Sequence, residues 1–228
     1  MTIKLICLDA DDTLWHNERH FKAAQQRLTE ILPAFPNWLS VLDETEHRNI
    51  PRYGFGVKGF TLSVIETAAQ LLGSQLDGVT VQRIIEVGKD LLTHPVELLD
   101  GVLPALHALQ SRAPLVLITK GDLLHQETKL AASGLGERFA GVEIVSDKRS
   151  QTFAQIFARH SVTPVEAIMI GDSMRSDILP AIEAGAFAAH VPHPLAWSFE
   201  AGDEPVGNPR YRRVEHMREI PPWIDTLS

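Results

Sequence analysis

The sequence predicts an α/β fold built on a doubly wound parallel sheet, with a small all-α unit inserted after the first strand. Three observations carry this prediction. Short runs rich in Ile, Val and Leu recur at residues 3–8, 115–118, 142–145, 167–170 and 187–191, each with the length and content of a buried strand. From residue 97 onward these runs alternate with segments whose apolar residues fall at helical spacing, the pattern of a parallel sheet with crossover helices. Between residues 14 and 96 no strand-like run occurs and helical spacing takes over.

The elements follow in order. The first run ends abruptly in Asp9. Helical spacing then covers 21–32, 62–72 and 81–92, with Pro33, Pro36, Pro51 and several glycines as separators. Residues 1–14 and 97–228 are therefore expected to form the α/β core, and residues 15–96 a helical unit over one edge of the sheet. Within the core, helices are expected over 102–110, 123–133, 151–160 with Ser150 as N-cap, and 177–184 with Gly185 as the stop. The tail beyond residue 200 holds Gly202, Gly207 and four prolines, and is expected to wrap the surface with little regular structure.

Composition narrows the function. The 228 residues are 44% apolar and 22% charged, ordinary globular values with material for a substantial core. A net charge of −8 without a basic stripe argues against nucleic-acid binding. No apolar run approaches a membrane helix, and the N-terminal stretch turns acidic too early for a signal peptide. The single cysteine, Cys7, flanked by Ile6 and Leu8, is expected to be buried and inert, and a reducing cytoplasm is the expected compartment.

Chemistry-bearing residues cluster where the expected strands end, and in an open α/β sheet those ends share one crevice. Asp9 and Asp11 follow the first strand two residues apart, a pair whose repulsion favours a cation or a shared proton. Thr119-Lys120-Gly121 offers a hydroxyl, a cation and backbone N–H groups to an anion, or forms an ordinary strand-to-helix turn. Lys148 and Arg149 follow the third strand as site cations or as a solvated loop. Gly171-Asp172 and Asp177 follow the fourth, where Asp177 also fits a helix cap.

Taken in order, these four motifs, spanning about residues 5 to 185, resemble those of the haloacid dehalogenase-like (HAD) superfamily, whose core is Rossmann-like. The resemblance implies a Mg²⁺-dependent phosphatase that hydrolyses a small phosphomonoester through an aspartyl phosphate. It implies Asp9 as nucleophile and Asp11 as general acid and base. Thr119, Lys120 and Lys148 would bind the phosphoryl group. Asp9, Asp172, Asp177 and the backbone carbonyl of Asp11 would bind Mg²⁺. Asp12 stands where many members have Gly, so the turn must accommodate a side chain. True dehalogenases of the superfamily lack an acid matching Asp11, and its presence points to phosphate chemistry. The same resemblance assigns residues 15–96 as a cap, with His16, Arg52 and Lys58 as candidate substrate contacts and Arg19 near the entrance.

Competing signals are weaker. Gly54-x-Gly56-x-x-Gly59 matches a dinucleotide fingerprint but follows no apolar strand, and is read as a flexible loop within a bend over 51–59. The ten histidines are scattered, and His190 and His193 lack further ligands nearby for zinc. A phosphomutase retaining the aspartyl phosphate, or a receiver-type phosphoacceptor module without turnover, are the alternatives. The expected partner is a small phosphorylated metabolite, with neither nucleic acid nor membrane, and the chain acting as a monomer or homodimer.

Overall fold

The computed structural model describes residues 2–32 and 35–227; Pro33, expected to break a helix, lies outside the described residues. The chain divides into two compact units. The first comprises Met1–Glu18, Val96–Lys120 and Thr128–Ser228, the second Arg19–Pro95 and Gly121–Glu127. Among the described residues no helix is long and apolar enough to cross a membrane.

The second unit is helical. Its core is drawn from α1 (Glu18–Ile31), α2 (Trp38–Tyr53), α3 (Val57–Leu72) and α4 (Gly78–Leu92). Leu28, Leu42, Val64 and Ile84, one from each helix, are almost fully buried together. Asp77 caps α4 by accepting the Thr80 N–H at 2.7 Å. Of these helices α2 has no counterpart in the sequence expectation. Its inward positions run Trp38, Leu42, Thr45, Asn49, so the spacing of four and three continues through polar residues and the hydrophobic trace stops after Leu42. Buried Asn49 is satisfied by donating to Glu66 Oε2 at 2.8 Å and to Ser63 Oγ at 3.2 Å.

Pro51 does not separate elements as expected; it sits in the last turns of α2, close enough to the end that little of the helix is lost. The bend expected over 51–59 is correspondingly shorter. Arg52 belongs to the last turn of α2 and Lys58 to the first turn of α3, joined through Gly54-Phe55-Gly56. The glycine fingerprint serves this joint. Gly54 and Gly56 take φ of 72° and 111°, and a Cβ on Gly59 would lie 2.8 Å from the Gly54 carbonyl oxygen.

The first unit holds the sheet. Strands β1 (Leu5–Leu8), β2 (Leu115–Lys120), β3 (Gly141–Val145), β4 (Ala167–Gly171), β5 (Phe187–His190) and β6 (Tyr211–Arg213) run parallel in the order β3-β2-β1-β4-β5-β6. Alternation along β1, β2, β4 and β5 feeds two cores. Ile6, Leu8, Leu117 and Ile170 pack with α5 (Val102–Gln110), while Leu5, Cys7, Val116 and Met169 face the other way. Chain order then supplies α6 (Leu123–Ser133) and α7 (Ser150–Arg159), whose Phe153, Ile156 and Phe157 fill the second core. Cys7 is fully buried, and burial pushes its thiol above the ordinary range, which keeps it protonated and unreactive.

Two helix starts differ from expectation. Ser150 is the first residue of α7 rather than its cap, and Arg149 holds the cap position, its N–H donating to Thr152 Oγ1 at 3.4 Å. Winding after β4 begins at Met174 as a single π turn, Met174–Ile178, before α8 (Leu179–Glu183). Its cap is Ser173, whose hydroxyl accepts the Ser176 N–H at 2.8 Å, and Asp177 lies inside the turn.

The tail is the larger correction. It contributes β6 at the sheet edge and α9 (Ile220–Thr226), and Val214, Met217, Ile220 and Ile224 enter the first core. Glycine and proline content hid this because Pro221 sits at the start of α9, where proline costs no hydrogen bond, and the buried residues recur every three or four positions. Ile220→Ala should therefore lower unfolding stability by about 2–5 kcal/mol in chemical denaturation. Val206→Ala in the same tail, at an 84% exposed position, should change it negligibly.

Candidate functional site

The site is assembled in the sheet unit, where β1 and β4 end side by side. Asp9 leaves β1 with its N–H donated to Ile170 O of β4 at 2.9 Å, so the sheet itself sets its height. The chain then turns sharply: the Leu14 N–H returns to Ala10 O at 2.8 Å, and Asp12 adopts φ 58°. This left-handed conformation explains why glycine suits the position, and Asp is among the side chains that tolerate it. Asp12 also uses its side chain, accepting the N–H groups of Asn17 and Glu18 at 2.8 Å each. Burial pushes its carboxyl upward against those two hydrogen bonds.

Across the crevice, the loop after β4 presents Asp172 and Asp177. Thr13 locks the first of these twice, accepting the Asp172 N–H at 3.1 Å and donating to its carboxylate at 3.2 Å. The Asp172 carbonyl is held by His190 Nε2 at 2.9 Å. Burial lowers the proton affinity of His190 and favours the neutral ring. Gly171 is needed for close approach: a Cβ there would lie 2.2 Å from Asp177 Oδ2. The Asp177 carboxylate, fully buried, instead accepts the Ser173 N–H at 3.1 Å.

Lys148 binds the halves together. Its ammonium donates to Asp9 Oδ1 and, at 2.7 Å, to Asp177 Oδ1, with the side chain 1% exposed. Burial opposes its charge, but Asp177 and Asp9 more than offset that and hold it protonated. One cation does not balance the carboxylates. Oxygens of Asp9, Asp172 and Asp177 lie within 4.8 Å of one another. Burial, joined by Asp177 and Asp11, outweighs Lys148 and pushes Asp9 up to about 7. Asp172 is pushed well up by burial and then by Asp9 and Asp177. The donor set, all hard carboxylate oxygens without thiolate or imidazole, fits a small divalent cation such as Mg²⁺.

The remaining sequence candidates are distributed around this cluster. Asp11 serves partners different from those of Asp9: Trp15 Nε1 donates to it at 2.7 Å and Lys129 Nζ at 2.6 and 2.7 Å. Thr119 is buried at the end of β2. Lys120, expected on a phosphoryl group, here donates to Glu200 and, at 2.6 Å, to Ser176 Oγ. Glu200 also accepts from the hydroxyls of Ser173 at 2.5 Å and Ser176 at 2.6 Å. Burial works against the Glu200 charge, yet Lys120 and the hydroxyls hold its carboxyl below the usual range. His16 lies edge-on to His193 at 6.2 Å, its N–H donated to Glu97 O. Arg52 and Lys58 belong to the helical unit, where Lys58 pairs with Asp122 at 2.8 Å.

Sequence reasoning missed Thr13, Lys129 and Glu200. Thr13 sits inside the first motif and was legible as its only hydroxyl. Lys129 and Glu200 lie on elements with no motif, and a lysine in an amphipathic helix ordinarily reads as solvated.

Comparison with known proteins places the chain in a family. The haloacid dehalogenase-like hydrolase family profile matches residues 3–185. N-acylneuraminate-9-phosphatase of Mus musculus is 25% identical over 139 residues, covering 58% of this chain and 53% of that protein. The chain thus spans about half the length of this curated relative. Among solved structures, a haloacid dehalogenase-like family hydrolase from Xanthomonas campestris is 36% identical with a TM-score of 0.90, covering 99% of this chain and 92% of the other. A 2-haloacid dehalogenase from Pseudomonas syringae pv. Tomato DC3000 shares the fold at 20% identity and a TM-score of 0.67, over 100% of both chains. With the family profile spanning most of its length and both ends of the site built from matched residues, the chain belongs to the haloacid dehalogenase-like hydrolases.

Proposed function

We propose that this hydrolase cleaves a small phosphomonoester, with Mg²⁺ held by Asp9, Asp172 and Asp177 and an aspartyl phosphate formed on Asp9. The observation that carries the reading is the buried carboxylate cluster with its single ammonium. A carboxylate displacing halide from carbon gains little from a carboxylate cluster that holds a cation, whereas one attacking a phosphate dianion is repelled unless positive charge intervenes. The phosphatase relative points the same way.

The bound cation would supply charge neutralisation between nucleophile and phosphoryl oxygens. The chain's own residues do the rest. An Asp9 oxygen attacks phosphorus in line, and the ester P–O bond breaks as Asp11 gives its proton to the leaving alkoxide. Asp11, now a carboxylate, takes a proton from the water that attacks the phosphoryl group, releasing inorganic phosphate and restoring Asp9. Thr119 and Lys148 donate to the phosphoryl oxygens throughout. Lys120, tied to Glu200, stiffens the turn that carries Asp172 and Asp177.

Hydrolysis of an aryl phosphate should require Mg²⁺, and Asp9→Asn should lose on the order of 10³-fold or more in kcat; undiminished turnover in that variant would overturn the mechanism.

The electrostatics give a second expectation. A carboxyl raised to about 7 from 3.8 binds more protons folded than unfolded between those values, so its contribution to stability is present at low pH and lost as pH rises through about 7. Melting temperature of the metal-free protein should fall from pH 5 to pH 8, less steeply in Asp9→Asn, and saturating Mg²⁺ should flatten the wild-type slope. A wild-type slope indifferent to both changes would contradict the charge assignment.

A further inference from the structure

We propose that Lys129, a residue of α6 outside the four motifs, is a positioning residue that fixes the Asp11 carboxyl group, which in its protonated form gives its proton to the leaving group. The inference rests on the reading of Asp11 as proton carrier. Three features of the geometry carry it.

The first is saturation. An ammonium has three N–H donors, and those of Lys129 meet Asp11 Oδ1 at 2.6 Å, Asp11 Oδ2 at 2.7 Å and Asn17 Oδ1 at 3.2 Å. All three acceptors belong to the short segment that follows β1. Contact with both oxygens, joined by the Trp15 indole on Oδ1 at 2.7 Å, leaves the carboxylate little rotational freedom. The second is burial. The Lys129 side chain is 4% exposed, and taking an ammonium out of water is costly unless its partners are well placed. Packing alone would be served by an apolar residue of similar length, so the charge at this position has a use other than filling space. The third is position. Lys129 touches neither Asp9 nor the carboxylate pair of the β4 loop in these hydrogen bonds; its contacts select the second acid of the first motif.

Fixing a proton donor matters in proportion to how much the leaving group needs the proton. An alkoxide departs poorly without one, while a nitrophenolate departs readily. The test is therefore the ratio of kcat/KM for an alkyl phosphate to that for p-nitrophenyl phosphate, which cancels the amount of active protein and so tolerates partial misfolding. Asp11→Asn should lower this ratio by on the order of 10²-fold, in line with the contribution of general acid catalysis. Lys129→Met should lower it by about 10-fold, and Lys129→Gln, which keeps an amide donor and serves if the Met variant does not fold, should lower it in the same direction. The double variant Asp11→Asn with Lys129→Met should fall no further than Asp11→Asn alone.

A loss of equal factor on both substrates in the Lys129 variants, with a selective loss in Asp11→Asn, would reduce Lys129 to a structural residue and overturn the inference alone. An equal loss on both substrates in Asp11→Asn would remove Asp11 as proton carrier, and the inference would fall with it.

Discussion

A buried ammonium between two carboxylates organises this molecule. Lys148 reaches Asp9 at the end of β1 and Asp177 in the turn after β4, and almost no solvent reaches any of the three side chains. Such an arrangement is stable only while every partner is present, because removing one leaves a charge in a medium that cannot solvate it. The chain meets that demand with rigid elements. Asp9 is tied to β4 through its own N–H, Gly171 lets Asp177 approach where no other residue would fit, and Thr13 clamps Asp172 from the opposite loop.

The sheet order follows from the same need. β1 and β4 must be neighbours for the first and fourth motifs to meet, and the register that sets Cys7 opposite Met169 and Leu8 opposite Ile170 brings Asp9 beside the Gly171 turn. The tail completes the arrangement from outside the motifs. Glu200 gathers Lys120, Ser173 and Ser176 into one cluster, linking the end of β2 to the turn that carries two of the acids. A segment read as surface wrapping thus supplies both core residues and a contact at the rim of the site.

What the sequence discloses depends on which signal a position leaves. Buried strands announce themselves because both faces need apolar residues, and β1, β2, β4 and β5 all lie close to their expected bounds. Motif acids were legible because strand ends share a crevice. α2 escaped because Thr45 and Asn49 occupy inward positions, so its periodicity is real but not hydrophobic. Lys129 escaped for the converse reason: a charged residue on a helix is read as solvated, and only tertiary structure shows which face is covered. The alternative of Asp177 as a simple cap gives way because the turn after β4 starts three residues earlier, at Met174, with Ser173 doing the capping.

The one cysteine gives the molecule a built-in reporter. Cys7 lies in β1 between Val116 and Met169, two residues from the acid proposed to attack phosphorus, and its sulfur is sealed from solvent. No thiol reagent can reach it until the second core, with Phe153, Ile156 and Phe157 of α7, opens over that face of the sheet. The rate at which the native protein is labelled therefore reports how often the core over β1 opens. Because that same strand delivers Asp9, the measurement times the integrity of the catalytic scaffold with no introduced label.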